Sequence, residues 1–174
     1  MSDTLITVVA ILLAAVLMFI FPLLSISERG DDISQLSVLT ATTEFVDNSR
    51  SVGKITMDNY DKLINTIYAT GNSYDVELEV KVLDENIGKK SAWTQGTVIG
   101  ENVYYSVYTS QIVESLERDG VYIMKEGDIF SATVKNTNKT LSQTIRSVFY
   151  SISGSDIYSI KANHSGLVTA NGSY

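Results

Sequence analysis

An uncharged apolar segment beside the N-terminus limits most strongly what this chain can fold into. Thr4 to Ser27 include no charged side chain, and the most apolar part runs from Leu5 to Leu24. As a helix, about 20 residues extend for about 30 Å, which matches the hydrocarbon core of a bilayer. A signal peptide normally has a basic start and a shorter apolar run. The segment therefore predicts an uncleaved membrane anchor or a filament stem, in preference to a removable leader.

The proline of the chain, Pro22, lies inside this segment. A proline removes one backbone donor from a helix and bends it, which lipid-embedded helices tolerate. We expect a disturbance between Pro22 and Gly30, either an ordinary kink or a melted turn where a stem leaves the membrane. Taken literally, Arg29 just after the segment favours a cytoplasmic C-terminal domain. The polar, uncharged composition of the remaining chain favours a location outside the cytoplasm.

The helical pattern continues beyond Pro22 to about Asn48. We therefore divide the chain into a transmembrane or stem helix at residues 1–27, an amphipathic continuation at residues 28–50 and a globular head at residues 51–174. A narrow apolar stripe on the continuation is expected to pack the stem on the head, and it consists of Ile33, Leu36, Leu39 and Val46.

The head has the mixed pattern of an α+β domain. Residues 74–83 alternate between apolar and charged side chains, as a half-buried strand does. Thr56 is expected to cap a helix over residues 57–69, and Thr109 or Ser110 to cap another, closed by Gly120. A third helix over residues 140–151 is expected to turn Leu141, Ile145, Val148 and Phe149 inward. Residues 84–102 are expected to form a long polar loop or a loose hairpin. With two strands joined near Gly127 and two short C-terminal strands, the head has about four to six mainly antiparallel strands and two or three short helices.

Catalytic and metal-binding patterns are weak in this chain. The net charge of −7 argues against nucleic acid, and without cysteine no disulfide or thiolate site forms. His164 lies in a turn-like setting, which predicts a solvated loop histidine. The Ser51–Lys54 spacing and the acidic stretch from Asp84 to Asn86 match a serine–lysine enzyme and a calcium loop only in part. We therefore predict no catalytic residue, cofactor, metal or small-molecule substrate.

Several tyrosines are close together in the head, and two interpretations stay open. Half-buried strand positions suit tyrosine because one end of its ring is polar. A contact surface suits it equally, since tyrosine is favoured at interfaces. The residues concerned are Tyr104, Tyr105, Tyr108, Tyr122, Tyr150 and Tyr158.

The short polar tail, the uncharged stem, Pro22, the amphipathic continuation and the small α+β head together resemble a type IV pilin or pseudopilin. The stretch "FIFPLL" is similar to the stem segment of TadE-like pseudopilins of tight-adherence pili. The resemblance implies assembly, in which stems stored in the bilayer are extracted into a bundle of like stems by an ATP-driven motor. Position 5 is leucine where these pilins carry glutamate, so a major and a minor subunit both stay open.

Three functions follow from these observations. The first is a pilin-like structural subunit at the cell surface, anchored in membrane lipid and forming a homo-oligomer or pilus through its helix. The second is a single-pass anchored envelope domain that binds a protein partner in a secretion or conjugation apparatus. The third is an enzyme whose cleft the sequence does not reveal. In the first, the residues expected to pack in the membrane or the stem bundle are Leu5, Val9, Leu12, Val16, Phe19, Pro22, Leu23 and Ile26.

Overall fold

The order of helices and strands confirms an α+β architecture in which a long helix precedes a small sheet domain. The computed structural model describes residues 2–83, 104–150 and 159–173, with only the backbone given for residue 2 and residues 148–150. Residues 84–102, predicted as a loop or a loose hairpin, lie outside them. The helices are α1 (Ser2–Val52), α2 (Met57–Tyr68), α3 (Thr109–Asp119) and α4 (Leu141–Tyr150). The strands are β1 (Lys54–Thr56), β2 (Tyr74–Leu83), β3 (Tyr104–Tyr108), β4 (Val121–Ile123), β5 (Ile129–Asn136) and β6 (Lys161–Leu167).

Helix α1 is a single element of 51 residues that begins beside the N-terminus and ends at Val52, just before Gly53. The expectation that Pro22 and Gly30 interrupt it as a melted turn is wrong, because the helix continues through both. Pro22 removes one hydrogen bond to the carbonyl of Met18, and the turns on either side keep theirs. Gly53 ends the helix at φ 73°, and a Cβ there would lie 2.2 Å from the carbonyl oxygen of Ala170.

Two antiparallel sheets form the head. The larger has the strand order β3-β2-β5-β6, and the smaller pairs β1 with β4. The alternation predicted for residues 74–83 is confirmed, since Leu78 and Val80 are buried and Asp75 and Glu77 are exposed. The strands on either side of Gly127, which has φ 96°, lie in different sheets.

The short helices begin and end largely where their capping residues predict. Thr56 caps α2 by accepting a hydrogen bond from the Asn59 backbone N–H, and Gly120 ends α3 in the left-handed conformation. The cap predicted at Thr109 or Ser110 is wrong, because the N-cap of α3 is Tyr108. The Thr109 hydroxyl instead bonds the backbone of Leu78, where it accepts from the N–H at 2.7 Å.

The head packs on a face of α1 that differs from the predicted stripe. Val46 lies in the core with no exposed surface, but Ile33, Leu36 and Leu39 are 70%, 65% and 42% exposed, so their predicted packing between stem and head is wrong. The residues of α1 that are buried against the head are Ser34, Val38, Thr42, Phe45, Val46 and Ser49.

Small hydroxyl residues explain why the predicted face was wrong. The hydroxyls of Ser34 and Thr42 donate to the carbonyls of Gly30 and Val38 one turn earlier, at 2.9 and 2.7 Å. Because these groups are satisfied inside the helix, burying them costs little, and their small size lets the sheet approach closely. A count of apolar residues alone therefore selects a neighbouring face.

The C-terminal part of the head differs from the sequence prediction in two further ways. Residues 161–167 form one strand, β6, in place of two short strands, and His164 lies inside it opposite Ala132. Leu141 on α4 is 54% exposed, so its predicted inward position is wrong, whereas Ser142 and Gln143 are buried. The side chains of residues 148 and 149 lie outside the described set.

Candidate functional site

Residues 2–27, which we call the stem, are not covered by the head along their most apolar stretch. No residue in that stretch of α1 is buried inside the fold. Of the predicted stem-packing residues, Leu5, Leu12 and Phe19 are 66%, 62% and 76% exposed. Helix α1 is long and apolar enough to cross a membrane by length and composition. An apolar surface of this size on one helix indicates a lipid or protein environment around it.

The predicted stem residues, Pro22 apart, follow one another at alternating spacings of four and three, from Leu5 to Ile26. One more spacing of seven leads to Ile33, which is also exposed. Such a repeat places one apolar seam on a helix and favours a left-handed supercoil with a similar helix. The stem is apolar on its other faces as well, where Met18 is 76% exposed. All faces of the stem can therefore contact lipid, and one face can also pack against a neighbouring helix.

Where the stem enters the head, an open groove lies between α1 and α2. It encloses about 340 Å³. Its apolar lining comes from Ile33, Leu36, Ala41, Phe45 and Leu63. An ion pair of 2.6 Å between Lys62 and Glu44 lies at its rim, with both side chains more than half exposed. Of the four residues predicted to pack the stem on the head, two, Ile33 and Leu36, line this groove.

Polar contacts hold the base of the head to α1, and the sequence analysis did not identify them. The amide of Gln35 donates to the Lys161 carbonyl at 2.8 Å and accepts from the Lys161 N–H at 2.9 Å, as a neighbouring strand would. Asp31 accepts from the hydroxyls of Thr140, at 2.7 Å, and Ser142.

One turn closer to the stem, Glu28 pairs with Arg146 of α4 at 2.5 Å. Glu28, Asp31 and Gln35 recur at spacings of three and four, which is the period of one helix face. That polar stripe is the sequence signal that indicates this contact face.

A charged cluster joins the upper part of α1 to β6. The Asp47 carboxylate accepts from Arg50 at 2.7 Å and lies 3.1 Å from Nε2 of His164. The hydrogen bonds from Arg50 and then His164 hold the pKa of Asp47 below its usual value of 3.8. The predicted solvated-loop position of His164 is therefore wrong, since the histidine belongs to a contact between helix and strand. The Arg50 side chain lies over Gly166, where a Cβ would be 2.5 Å from Cδ of the arginine.

Other chemistry-bearing residues have structural partners. Ser51 donates to the Asn48 carbonyl at 2.9 Å and Lys54 to the Ser173 carbonyl at 3.0 Å, so each member of the serine–lysine spacing is engaged elsewhere. Asp128 is a buried carboxylate that accepts from the backbone N–H groups of Leu83 and Lys125, at 3.0 and 2.8 Å. Within residues 2–83, 104–150 and 159–173 no group of three metal-ligating side chains occurs. Asp84 and Asn86 lie outside these residues.

The tyrosines differ in exposure. Tyr105 and Tyr108 are 49% and 60% exposed, and a contact surface formed by them stays a prediction. Tyr104 and Tyr122 are half-buried. Burial, and to a smaller extent the negative charge of the nearby Asp128, raises the pKa of Tyr122 to about 12. The side chains of residues 150 and 158 lie outside the described set.

Comparisons with known proteins assign no family to the chain. No protein-family model matches the chain, and neither a curated protein nor a solved structure matches it.

Proposed function

We propose that this protein is a pilin-like structural subunit, anchored in a membrane by its stem and assembled into, or capping, a filament outside the cytoplasm. The observation that carries the proposal is the division of α1, whose N-terminal part is exposed and apolar while its later part supplies Val38, Phe45 and Val46 to the core of the head. A plain anchor needs no such continuity. In a filament subunit the same helix binds its neighbours and holds the head in place.

Energetics support storage in lipid and assembly by exchange. Burying about 20 apolar side chains at about 1.5–3 kcal/mol each stabilises the stem by tens of kcal/mol in lipid or in a bundle of stems. Because both environments are apolar, the difference between them is small. A subunit of this kind neither leaves the membrane nor dissociates from a bundle spontaneously, and an energy-driven motor sets the direction.

The test compares three forms of the chain after detergent removal, using negative-stain microscopy and light scattering. The first is the full chain, the second begins at Glu28, and the third has residues 5–24 replaced by an apolar leucine–alanine helix of equal length. We expect filaments or ordered oligomers from the full chain alone. Filaments from the form that begins at Glu28 would contradict the proposal, as would a full chain that stays monomeric in bilayers at every protein density.

A second candidate is a single-pass anchored domain that binds a protein partner. The groove between α1 and α2 favours it, because Ile33 and Leu36 remain exposed there. For such a domain the leucine–alanine stem is a full replacement, and partner capture is lost instead on Leu36→Glu. The two candidates therefore predict opposite results for the leucine–alanine stem, which abolishes assembly in the first and preserves function in the second.

A further inference from the structure

Helix α4 runs back along α1 toward the stem. Its N-terminal end is held at Asp31 through Thr140 and Ser142, and its later part is held at Glu28 through Arg146. Because Glu28 is nearer the stem than Asp31, α4 runs antiparallel to α1. The C-terminal end of α4 is therefore the part of the described head that comes nearest to the stem.

The rise along α1 gives the depth of that end relative to a membrane. At about 1.5 Å per residue, Glu28 lies about 6 Å beyond Leu24, the last residue of the apolar run. Polar headgroups add about 5–8 Å on each side of the hydrocarbon core. Arg146 thus meets α1 at the outer limit of the headgroups, and Tyr150, up to about 6 Å further down α4, lies within the headgroup layer.

The composition of α4 suits that layer. Its one charged residue, Arg146, is paired with Glu28, so the last turn carries no charge. That turn consists of Val148, Phe149 and Tyr150, and aromatic residues are enriched where a protein crosses the membrane interface. The hydrogen bonds and the ion pair that join α4 to α1 are made by polar side chains, and Leu141 on the same helix is 54% exposed.

We propose that the C-terminal turn of α4 inserts into the headgroup layer and is a second membrane contact, beside the stem. Its partner is the uncharged lipid interface, which suits the uncharged, apolar and aromatic residue types of this turn. The contact limits how far the head tilts about the stem. This inference rests on the proposed anchoring by the stem, and the experiment separates the two.

The test places one tryptophan in the full chain, reconstituted in phosphatidylcholine vesicles whose acyl chains carry bromine near the headgroup. The native Trp93 is first replaced in Trp93→Phe. Phe149→Trp is the test variant, Phe19→Trp the stem control and Val52→Trp, about 42 Å beyond Leu24 along α1, the head control. Tyr150→Trp repeats the test if Phe149→Trp does not fold.

We expect brominated lipid to remove most of the fluorescence at positions 149 and 19 and none at position 52. Quenching at position 19 without quenching at 149 and 150 would overturn the inference and leave the anchored stem intact. An unquenched tryptophan at position 19 would overturn both. Equal quenching at position 52 would also overturn it, because the head would then lie on the bilayer without a preferred face.

Discussion

Replacing Phe45 by alanine is expected to destabilise the head far more than the same truncation at Leu36, on the same helix. Phe45 is 4% exposed, and its ring packs edge-on against Phe130 with the centroids 5.6 Å apart. It also contacts Tyr60 at a centroid distance of 6.4 Å. Leu36 is 65% exposed and lies at the open groove. The pair separates the face of α1 that packs on the head from the face predicted by apolar spacing.

The expected magnitudes follow from burial. Phe→Ala in a packed core costs about 3–5 kcal/mol, which is a large part of the 5–15 kcal/mol or so that stabilises an ordinary domain. Leu36→Ala removes little buried surface, so its effect stays within about 0.5 kcal/mol. For a domain of this size, the Phe45 variant lowers the Tm by roughly 10–15 °C.

Thermal unfolding of the full chain in detergent micelles, followed by the near-ultraviolet circular dichroism of its tyrosines, measures both variants. Equal losses of Tm for Phe45→Ala and Leu36→Ala would refute the assignment of the buried face.

Three further predictions use the same unfolding measurement. Gly53→Ala is expected to destabilise the protein, because Gly53 has φ 73° and no room for a Cβ. Gly30→Ala is expected to stabilise it by roughly 0.5–1 kcal/mol through helix propensity, because a Cβ at Gly30 meets open space. The loss at position 53 should be several times larger than the change at position 30, and equal effects would contradict this. Ser49→Ala is expected to stabilise by about 1 kcal/mol, since the buried Ser49 hydroxyl has no hydrogen-bond partner among the described residues, and a loss of stability would show that it has one. Asp47→Asn is expected to cost less than about 1 kcal/mol at neutral pH. The pKa of Asp47 is lowered on folding, chiefly by the hydrogen bond from Arg50. The stability that the Asp47 carboxylate contributes is therefore present above pH 3.8 and is lost as the pH falls through the lower pKa of the folded state. A cost of Asp47→Asn that grew toward acid pH would contradict the assignment.

The sequence predicted the parts of the fold that depend on local chemistry. Strand β2 follows from its alternation, and the ends of α2 and α3 follow from Thr56 and Gly120, because each signal acts within a few residues. The long N-terminal helix followed from its apolar length.

The buried face of α1 required information that the sequence pattern lacks. Ser34, Thr42 and Ser49 are polar by type, yet they face the sheet because small side chains permit close packing. Ile33 and Leu36 are apolar by type, yet they remain exposed beside α2. Which face packs depends on the shape of the opposing sheet, and that shape forms only when distant segments come together.

The charged contacts were missed for a similar reason. His164 and Asp47 are far apart in the chain, and the asparagine, serine and glycine around His164 suggested a turn. Pairing with β5 overrides that local preference, because the strand completes an edge of the larger sheet. The spacing of Glu28, Asp31 and Gln35 can be recognised in the sequence as one helix face, but the residues of α4 and β6 that they contact cannot.

The accessibility of single cysteines along α1 tests most directly the central claim, that one rod is embedded in lipid at its start and built into the head at its end. The chain has no cysteine of its own, so each introduced thiol reports alone. In nanodiscs, which leave both membrane faces open, we predict that a polar maleimide labels Leu36→Cys quickly and leaves Leu12→Cys and Phe19→Cys unlabelled. Labelling of Leu12→Cys as fast as Leu36→Cys would contradict the claim.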